Sequence, residues 1–175
     1  MTDPIIVTAA LPDAIFSYAD GLRRAHFPPE RNVLSAHLTL FHAIPPSCES
    51  ELFGLLADIA ATTPPIGAEL VEIMSLGRGT ALRLQSGELG IIRAGIADHF
   101  HGSLTAQDQA RPRFHITIQN KVSPAEAKAL QGALAPTFRP RSFAIPALEA
   151  HYYRGGPWER AGRWALRGKP GKKPF

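Results

Sequence analysis

Two segments of the same design constrain the fold of this chain more than any other feature of its sequence. The first, NVLSAHLTLFHAI, occupies residues 32–44, and the second, RFHITIQNKV, occupies residues 113–122. Both are rich in apolar residues and lie between turn or breaker residues, which is typical of strands. A helix candidate precedes each segment, and an amphipathic helix candidate follows it. This repeated order of helix, strand and helix predicts two similar lobes within one α+β domain.

Periodicity and turn residues predict the remaining elements. Further strands are expected over residues 5–11, 66–76, 80–85, 141–154 and 163–168. Helices are expected over 13–26, 47–62, 87–102 and 123–134, the second capped by Ser47 and the last opened by a capping box from Ser123 to Glu126. Pro146 inside the strand over 141–154 indicates a bulge or an edge position. We expect a single domain over residues 1–175, with lobes at about 1–86 and 87–168 and a basic tail at 169–175.

Composition excludes several classes of protein. A length of 175 residues suits one domain with a sizeable core. The single cysteine, Cys48, excludes an intrachain disulfide and a cysteine-rich zinc site. No apolar run approaches the ~18 residues that span a bilayer, and the N-terminal sequence MTDPIIVTAALPDAIF lacks the basic region of a signal peptide. We therefore expect a cytoplasmic protein that does not bind a membrane.

Each of the two segments carries a His-x-Thr-x motif, HLTL at 37–40 and HITI at 115–118. Residues two apart on a strand point to the same face. The polar faces are therefore predicted to hold Ser35, His37, Thr39 and Phe41 on one strand, and Arg113, His115, Thr117 and Gln119 on the other. His42 is predicted to lie on the opposite face from His37 and to be structural. A core strand has little reason to bury so many polar groups, because each needs a partner.

The residue types of the two motifs point to phosphoester chemistry. Two histidines facing one cleft can act as general base and general acid, since an ordinary imidazole pKa of ~6.5 allows either protonation state near neutral pH. Thr39 and Thr117 can donate hydrogen bonds to a phosphate oxygen, and Arg113 can neutralise developing charge. Such a site can hydrolyse a 2′,3′-cyclic phosphate without a metal or another cofactor.

With its paired motifs in a two-lobed α+β chain of this size, the sequence resembles the 2H phosphoesterase superfamily. Within it, the resemblance is to the 2′-5′ RNA ligase-like branch of RNA 2′,3′-cyclic phosphodiesterases. The resemblance implies two pseudo-symmetric antiparallel-sheet lobes with helices outside and a central cleft. It implies that His37 and His115 are catalytic and that Thr39 and Thr117 bind phosphate. The C-terminal segment HYYRGGPWERAGRWAL also resembles a tail of that branch.

Aromatic residues are further candidates for substrate binding. Phe41 could stack on a base at the cleft or pack in the core. Tyr152, Tyr153 and Trp158 could form a stacking platform for bases, with only one of the two tyrosines facing any given surface. The sequence HFH at 99–101 has no neighbouring ligand cluster, so no metal site is expected. His26 and His151 carry no signal.

Three functions remain open on the sequence alone. The first is an enzyme whose partner is RNA or a nucleotide with a cyclic phosphate, acting by hydrolysis or on 2′-5′ linkages. The second is a non-catalytic module that binds RNA or nucleotides, and the third is a phosphodiesterase for a small cyclic phosphate that is not RNA. The net charge of +4 suits a polyanionic partner. The sequence leaves the base and acid histidines unassigned and gives a monomer only as the default expectation.

Overall fold

A computed structural model describes residues 3–171, which form two antiparallel sheets flanked by helices. The strands are β1 Ile5–Ala9, β2 Leu38–Ile44, β3 Ile66–Ser75, β4 Thr80–Gln85, β5 His115–Gln119, β6 Arg141–Ile145, β7 Ala147–Tyr152 and β8 Glu159–Ala165. The helices are α1 Asp13–His26, α2 Glu49–Thr62, α3 Gly87–His99, α4 Ala106–Gln109 and α5 Pro124–Leu134. None of these helices is long and apolar enough to cross a membrane.

Each sheet has four strands, in the order β2-β1-β7-β8 and β5-β4-β3-β6. The predicted α+β class and its two antiparallel-sheet lobes are therefore confirmed. The predicted boundary at residues 86 and 87 is wrong, however, because β3 and β4 pair with β5 and β6 while β1 and β2 pair with β7 and β8. Each motif strand lies at the edge of its own sheet. The predicted basic tail at 169–175 falls largely outside the described residues.

Pro146 marks the point at which the chain passes from one sheet to the other. Ile145 pairs with Ile66 of β3, whereas Ala147 pairs with Ala165 of β8. A proline has no N–H to continue a ladder, and its carbonyl accepts a hydrogen bond from the N–H of Leu166. The prediction of one strand over 141–154 is therefore wrong, and Pro146 separates two strands of different sheets.

The helix predictions differ by at most three residues at one end, and the largest difference is in α3, which ends at His99 rather than at residue 102. α1 spans the predicted residues 13–26, and Ser123 caps α5 by accepting a hydrogen bond from the N–H of Glu126. α2 begins only at Glu49, with Cys48 at its N-cap, because residues 46–48 form a 3₁₀ turn first. The predicted cap at Ser47 is thus wrong.

Apolar side chains of both sheets and of the covering helices form one continuous core. α2 covers the first sheet, where Phe53 packs against Trp164 of β8 at 5.2 Å between ring centroids. α1 follows β1 of the first sheet but packs against β5 of the second. α1 therefore connects the first sheet, which contains the HLTL strand, to the HITI strand of the second sheet.

Candidate active site between the two motif strands

The two His-x-Thr motifs line one cavity of about 300 Å³ between the sheets. His37 and Thr39 enter it from the start of β2, and His115 and Thr117 enter it from β5. All four side chains are partly buried, while Leu38 and Ile116 between them are fully buried in the core. The strand alternation expected at the beginning of each motif is therefore present.

The two imidazoles are held in the same way. Nδ1 of His37 lies 2.8 Å from the carbonyl oxygen of Ser35, and Nδ1 of His115 lies 2.5 Å from that of Arg113. A carbonyl oxygen can only accept, so Nδ1 carries the proton in both rings. Each histidine thus has its Nε2 available, either as a lone pair that takes a proton or as an N–H that gives one.

The surroundings of His37 make its neutral form the stable one. Its pKa is lowered to about 4, chiefly by burial, which the hydrogen bond to the carbonyl of Ser35 only partly opposes. The positive charge of Arg23, and to a lesser extent those of His151 and His115, contribute to this lowering of the pKa. Near neutral pH the ring is therefore an unprotonated base.

An NMR titration of the histidine ring protons should show one imidazole with a pKa of about 4. That signal should be absent from a His37→Asn variant. Because His37 titrates near 6.5 in the unfolded chain, the unfolded state binds an extra proton between pH 6.5 and 4. The wild type should therefore lose more stability on acidification over this range than His37→Asn does. A value near 6.5 for His37 would contradict the argument from burial.

A β-bulge follows the histidine in each motif strand at the same position. Thr39 and Phe41 pair with the adjacent residues Thr8 and Val7 of β1, so Leu40 is the extra residue. In β5, Thr117 and Gln119 pair with the adjacent residues Ala81 and Thr80 of β4, so Ile118 is extra. The fourth residue after each histidine therefore turns into the core.

Phe41 is fully buried, so its predicted contact with a base is wrong and the alternative of core packing is the one it adopts. Its ring lies under the guanidinium of Arg93, 4.3 Å from the guanidinium carbon. Gln119 is likewise buried and accepts a hydrogen bond from the hydroxyl of Thr80. Strict alternation fails at both residues because the bulge adds one residue to the strand.

The same bulge turns His42 toward the cavity, so the prediction that it lies opposite His37 is wrong. Its Nδ1 lies 3.3 Å from Oδ1 of Asp108, a fully buried carboxylate of α4. Asp108 also accepts hydrogen bonds from the backbone N–H groups of His42 and Ala43. Burial alone would raise the pKa of Asp108, but these hydrogen bonds outweigh it and the pKa is lowered.

Two buried arginines that the sequence analysis missed brace the motif strands. Arg23 of α1 donates to the carbonyl oxygens of Leu34 and Thr117, at 2.8 and 2.9 Å. Arg93 of α3 donates to the carbonyl oxygens of Leu40 and Asp108. Each guanidinium thus connects a helix to the edge strand that carries a motif. Both charges also lie close to the cavity, and Arg93 contributes to its wall.

The remaining predicted site residues divide between inside and outside the cleft. Arg113 is exposed and lines the cavity, as does Arg111. The Trp158 ring lies 4.6 Å from the His37 ring, measured between centroids, and also lines the cavity. Tyr153 is about half exposed (47%) and does not line this cavity, so its contact with a base stays a prediction.

A second cavity of about 530 Å³ adjoins the first, with His37 and Trp158 in the wall of both. His151 lines it with Nε2 2.9 Å from the hydroxyl of Thr8, and its ring is 5.6 Å from that of Trp158. Burial lowers the pKa of His151, the charge of Glu149 opposes this, and that of Arg160 adds to it. His151 therefore contributes to the site, although its sequence context carried no signal.

Comparison with known proteins identifies the same architecture elsewhere. A family model described as the 2′-5′ RNA ligase superfamily matches residues 11–157. The chain is similar to the crystal structure of TT0787 of Thermus thermophilus, with a TM-score of 0.65 and 14% identity over 95% of this chain and 100% of that one. It is also similar to Escherichia coli LigT crystallised with NADP+ and with 3′-AMP. Those two structures give TM-scores of 0.63 and 0.62 at 20% identity, covering 95% of this chain and 99% of LigT. No curated protein matches.

The identities to these solved structures are low, so they establish a shared fold. The family model covers most of the chain, including both motifs. The chain belongs to the 2′-5′ RNA ligase superfamily, a superfamily of phosphoesterases and ligases.

Proposed function

We propose that the protein hydrolyses 2′,3′-cyclic phosphates at RNA ends or on nucleotides, with His37 as general base and His115 as general acid. The observation that carries this proposal is the pair of imidazoles in one cavity, each with Nδ1 fixed on a carbonyl and Nε2 available. A pure binding module needs no such pair of proton carriers. The low pKa of His37 suits it to the role of base, and the role of acid is then assigned to His115.

In the proposed reaction, Nε2 of His37 takes a proton from water as the water oxygen attacks phosphorus. The bond from phosphorus to one ribose oxygen breaks, and Nε2–H of His115 donates its proton to that oxygen. The product is a nucleoside monophosphate. The approach of the anionic phosphate raises the pKa of His37 from its low value in the empty cavity, which makes the ring a stronger base when substrate is bound.

Thr39 and Thr117 are proposed to donate hydrogen bonds to the non-bridging phosphate oxygens, and Arg113 to offset their charge. Trp158 separates the two cavities and offers its face to a nucleobase. A nucleotide partner is supported by the crystallisation of the similar protein LigT with 3′-AMP, ATP and NADP+. Among residues 3–171, no group of three or more His, Cys, Asp or Glu side chains could hold a metal ion. The proposed chemistry uses side chains alone.

The deciding experiment is hydrolysis of 2′,3′-cyclic AMP in the presence of EDTA, followed by chromatography of the product. The wild type is expected to form a single nucleoside monophosphate at the same rate with and without EDTA. A His37→Ala/His115→Ala double variant, purified in parallel, should form none and serves as the control for a contaminating enzyme. Loss of wild-type activity in EDTA would overturn the metal-independent mechanism, and activity in the double variant would overturn the roles of the histidines.

A further inference from the structure

The active-site cavity carries more positive and hydrogen-bonding groups than one cyclic phosphate requires. Beyond the two motifs, its wall also includes His42, Gln107 and Arg111. A cyclic phosphodiester has one negative charge, which Arg113 and the two motif threonines already address in the proposed function. The extra groups are therefore available to a second anion.

His42 is a fixed donor rather than a loose surface side chain. Asp108, which is fully buried, holds it through Nδ1, so Nε2 is the nitrogen left for a ligand. The imidazole itself is about half exposed (49%) beside the cavity. When the ring is protonated, Nε2–H can donate to an anion while the carboxylate of Asp108 offsets the charge of the imidazolium.

Arg111 is a second donor in the wall of the same cavity. Its side chain is exposed and lines the cavity. Within the described residues 3–171, the ion pairs involve other arginines and histidines, and neither Arg111 nor Arg113 lies within 4.0 Å of a carboxylate. A guanidinium without a protein counter-charge is suited to bind phosphate bidentately.

We propose that His42 and Arg111 form a second phosphate subsite, and that the preferred substrate is a 2′,3′-cyclic phosphate end carrying a further phosphate group. This inference rests on the proposed function of the same cavity. The further phosphate is either a 5′-phosphate on the same nucleoside or the internucleotide phosphate of an RNA end. Either phosphate presents anionic oxygens to His42 and Arg111. The two differ in that only the internucleotide phosphate is followed by more of the RNA chain.

The test compares kcat/KM for three substrates: 2′,3′-cyclic AMP, its 5′-phosphorylated form, and a dinucleotide ending in a 2′,3′-cyclic phosphate. The wild type should prefer at least one phosphate-bearing substrate over cyclic AMP by about tenfold, as expected for a charge-assisted contact. Preference for the 5′-phosphorylated nucleotide alone assigns the subsite to a 5′-phosphate, and preference for the dinucleotide assigns it to an RNA backbone.

His42→Ala and Arg111→Ala should each reduce that preference toward unity, mainly through KM. His42→Arg should keep the preference that His42→Ala loses, because the arginine side chain is a permanent cation. His101→Ala is the matched control, since His101 is exposed and outside both cavities, and it should keep the wild-type preference.

Equal kcat/KM for all three substrates in the wild type would overturn the second subsite and leave the proposed hydrolysis standing. A preference that survives both alanine variants would overturn it as well. Absence of hydrolysis with all three substrates would instead contradict the proposed function.

Discussion

Replacing either motif histidine with alanine is expected to reduce kcat for 2′,3′-cyclic AMP by about 10²- to 10⁴-fold, the usual contribution of a positioned general acid or base. His37→Ala removes the group that is unprotonated at neutral pH and can accept the proton of the attacking water. His115→Ala removes the proton donor for the ribose oxygen. KM should change little by comparison, because Thr39, Thr117 and Arg113 still line the cavity.

The two losses should not add. Once the acid is missing, departure of the unprotonated ribose oxygen limits the rate, and a base then contributes less. The double variant should therefore be only slightly slower than the worse single variant. Steady-state rates of the single and double variants give this coupling directly. His101→Ala is the control and should keep the wild-type kcat. A single variant with kcat within about threefold of wild type would contradict the assignment of that histidine.

The four motif residues could be predicted because their signal is local. A strand carries its side chains alternately, so His37 and Thr39 had to share a face, as did His115 and Thr117. Their assembly in one cavity follows from a fold in which each motif occupies an edge strand of a separate sheet. Their catalytic roles stay a prediction until activity is measured.

The wrong predictions of which face a side chain occupies arise where one extra residue reverses the alternation of a strand. The bulge at Leu40 reverses the alternation in β2, which buries Phe41 and brings His42 to the cavity, and the bulge at Ile118 buries Gln119 in β5. Apolar and polar residues are both acceptable on an edge strand, so the composition of β2 does not reveal the extra residue. The position of Pro146 alone does not identify the crossover, because a bulge, an edge strand and a crossover between sheets all tolerate a proline.

The buried arginines did leave a signal in the sequence. Arg23 follows Ile15 and Ala19 at helical spacing, and all three are buried on one face of α1. Arg93 lies between Leu89 and Ile96 on the buried face of α3 in the same way. An arginine on the apolar stripe of a helix must find acceptors inside the protein. Which acceptors it finds depends on the tertiary fold.

Arg23→Ala is expected to lower the free energy of unfolding by about 3 kcal/mol, because it removes charge-assisted hydrogen bonds and leaves buried carbonyls without a donor. The guanidinium is buried (4% exposed) and serves the carbonyls of Leu34 and Thr117 together with the side chain of Asn32. The neighbouring Arg24 provides a matched control. Its side chain is 72% exposed and pairs only with Asp20 at 3.4 Å, so Arg24→Ala should cost less than ~1 kcal/mol. Urea unfolding of the two variants measures the difference.

The same substitution should also change the chemistry of His37. The charge of Arg23 is one of the causes that lower the pKa of that imidazole, so Arg23→Ala should raise it, and Arg24→Ala should not. The acid limb of kcat/KM against pH, which reports the essential base of the free enzyme, should therefore move to higher pH in Arg23→Ala alone. Arg23→Met keeps much of the side-chain volume but removes the charge. A shift of the acid limb in this variant therefore reports the lost charge rather than lost packing. If both arginine variants unfold at the same urea concentration and titrate alike, then Arg23 neither braces β5 nor sets the protonation of His37.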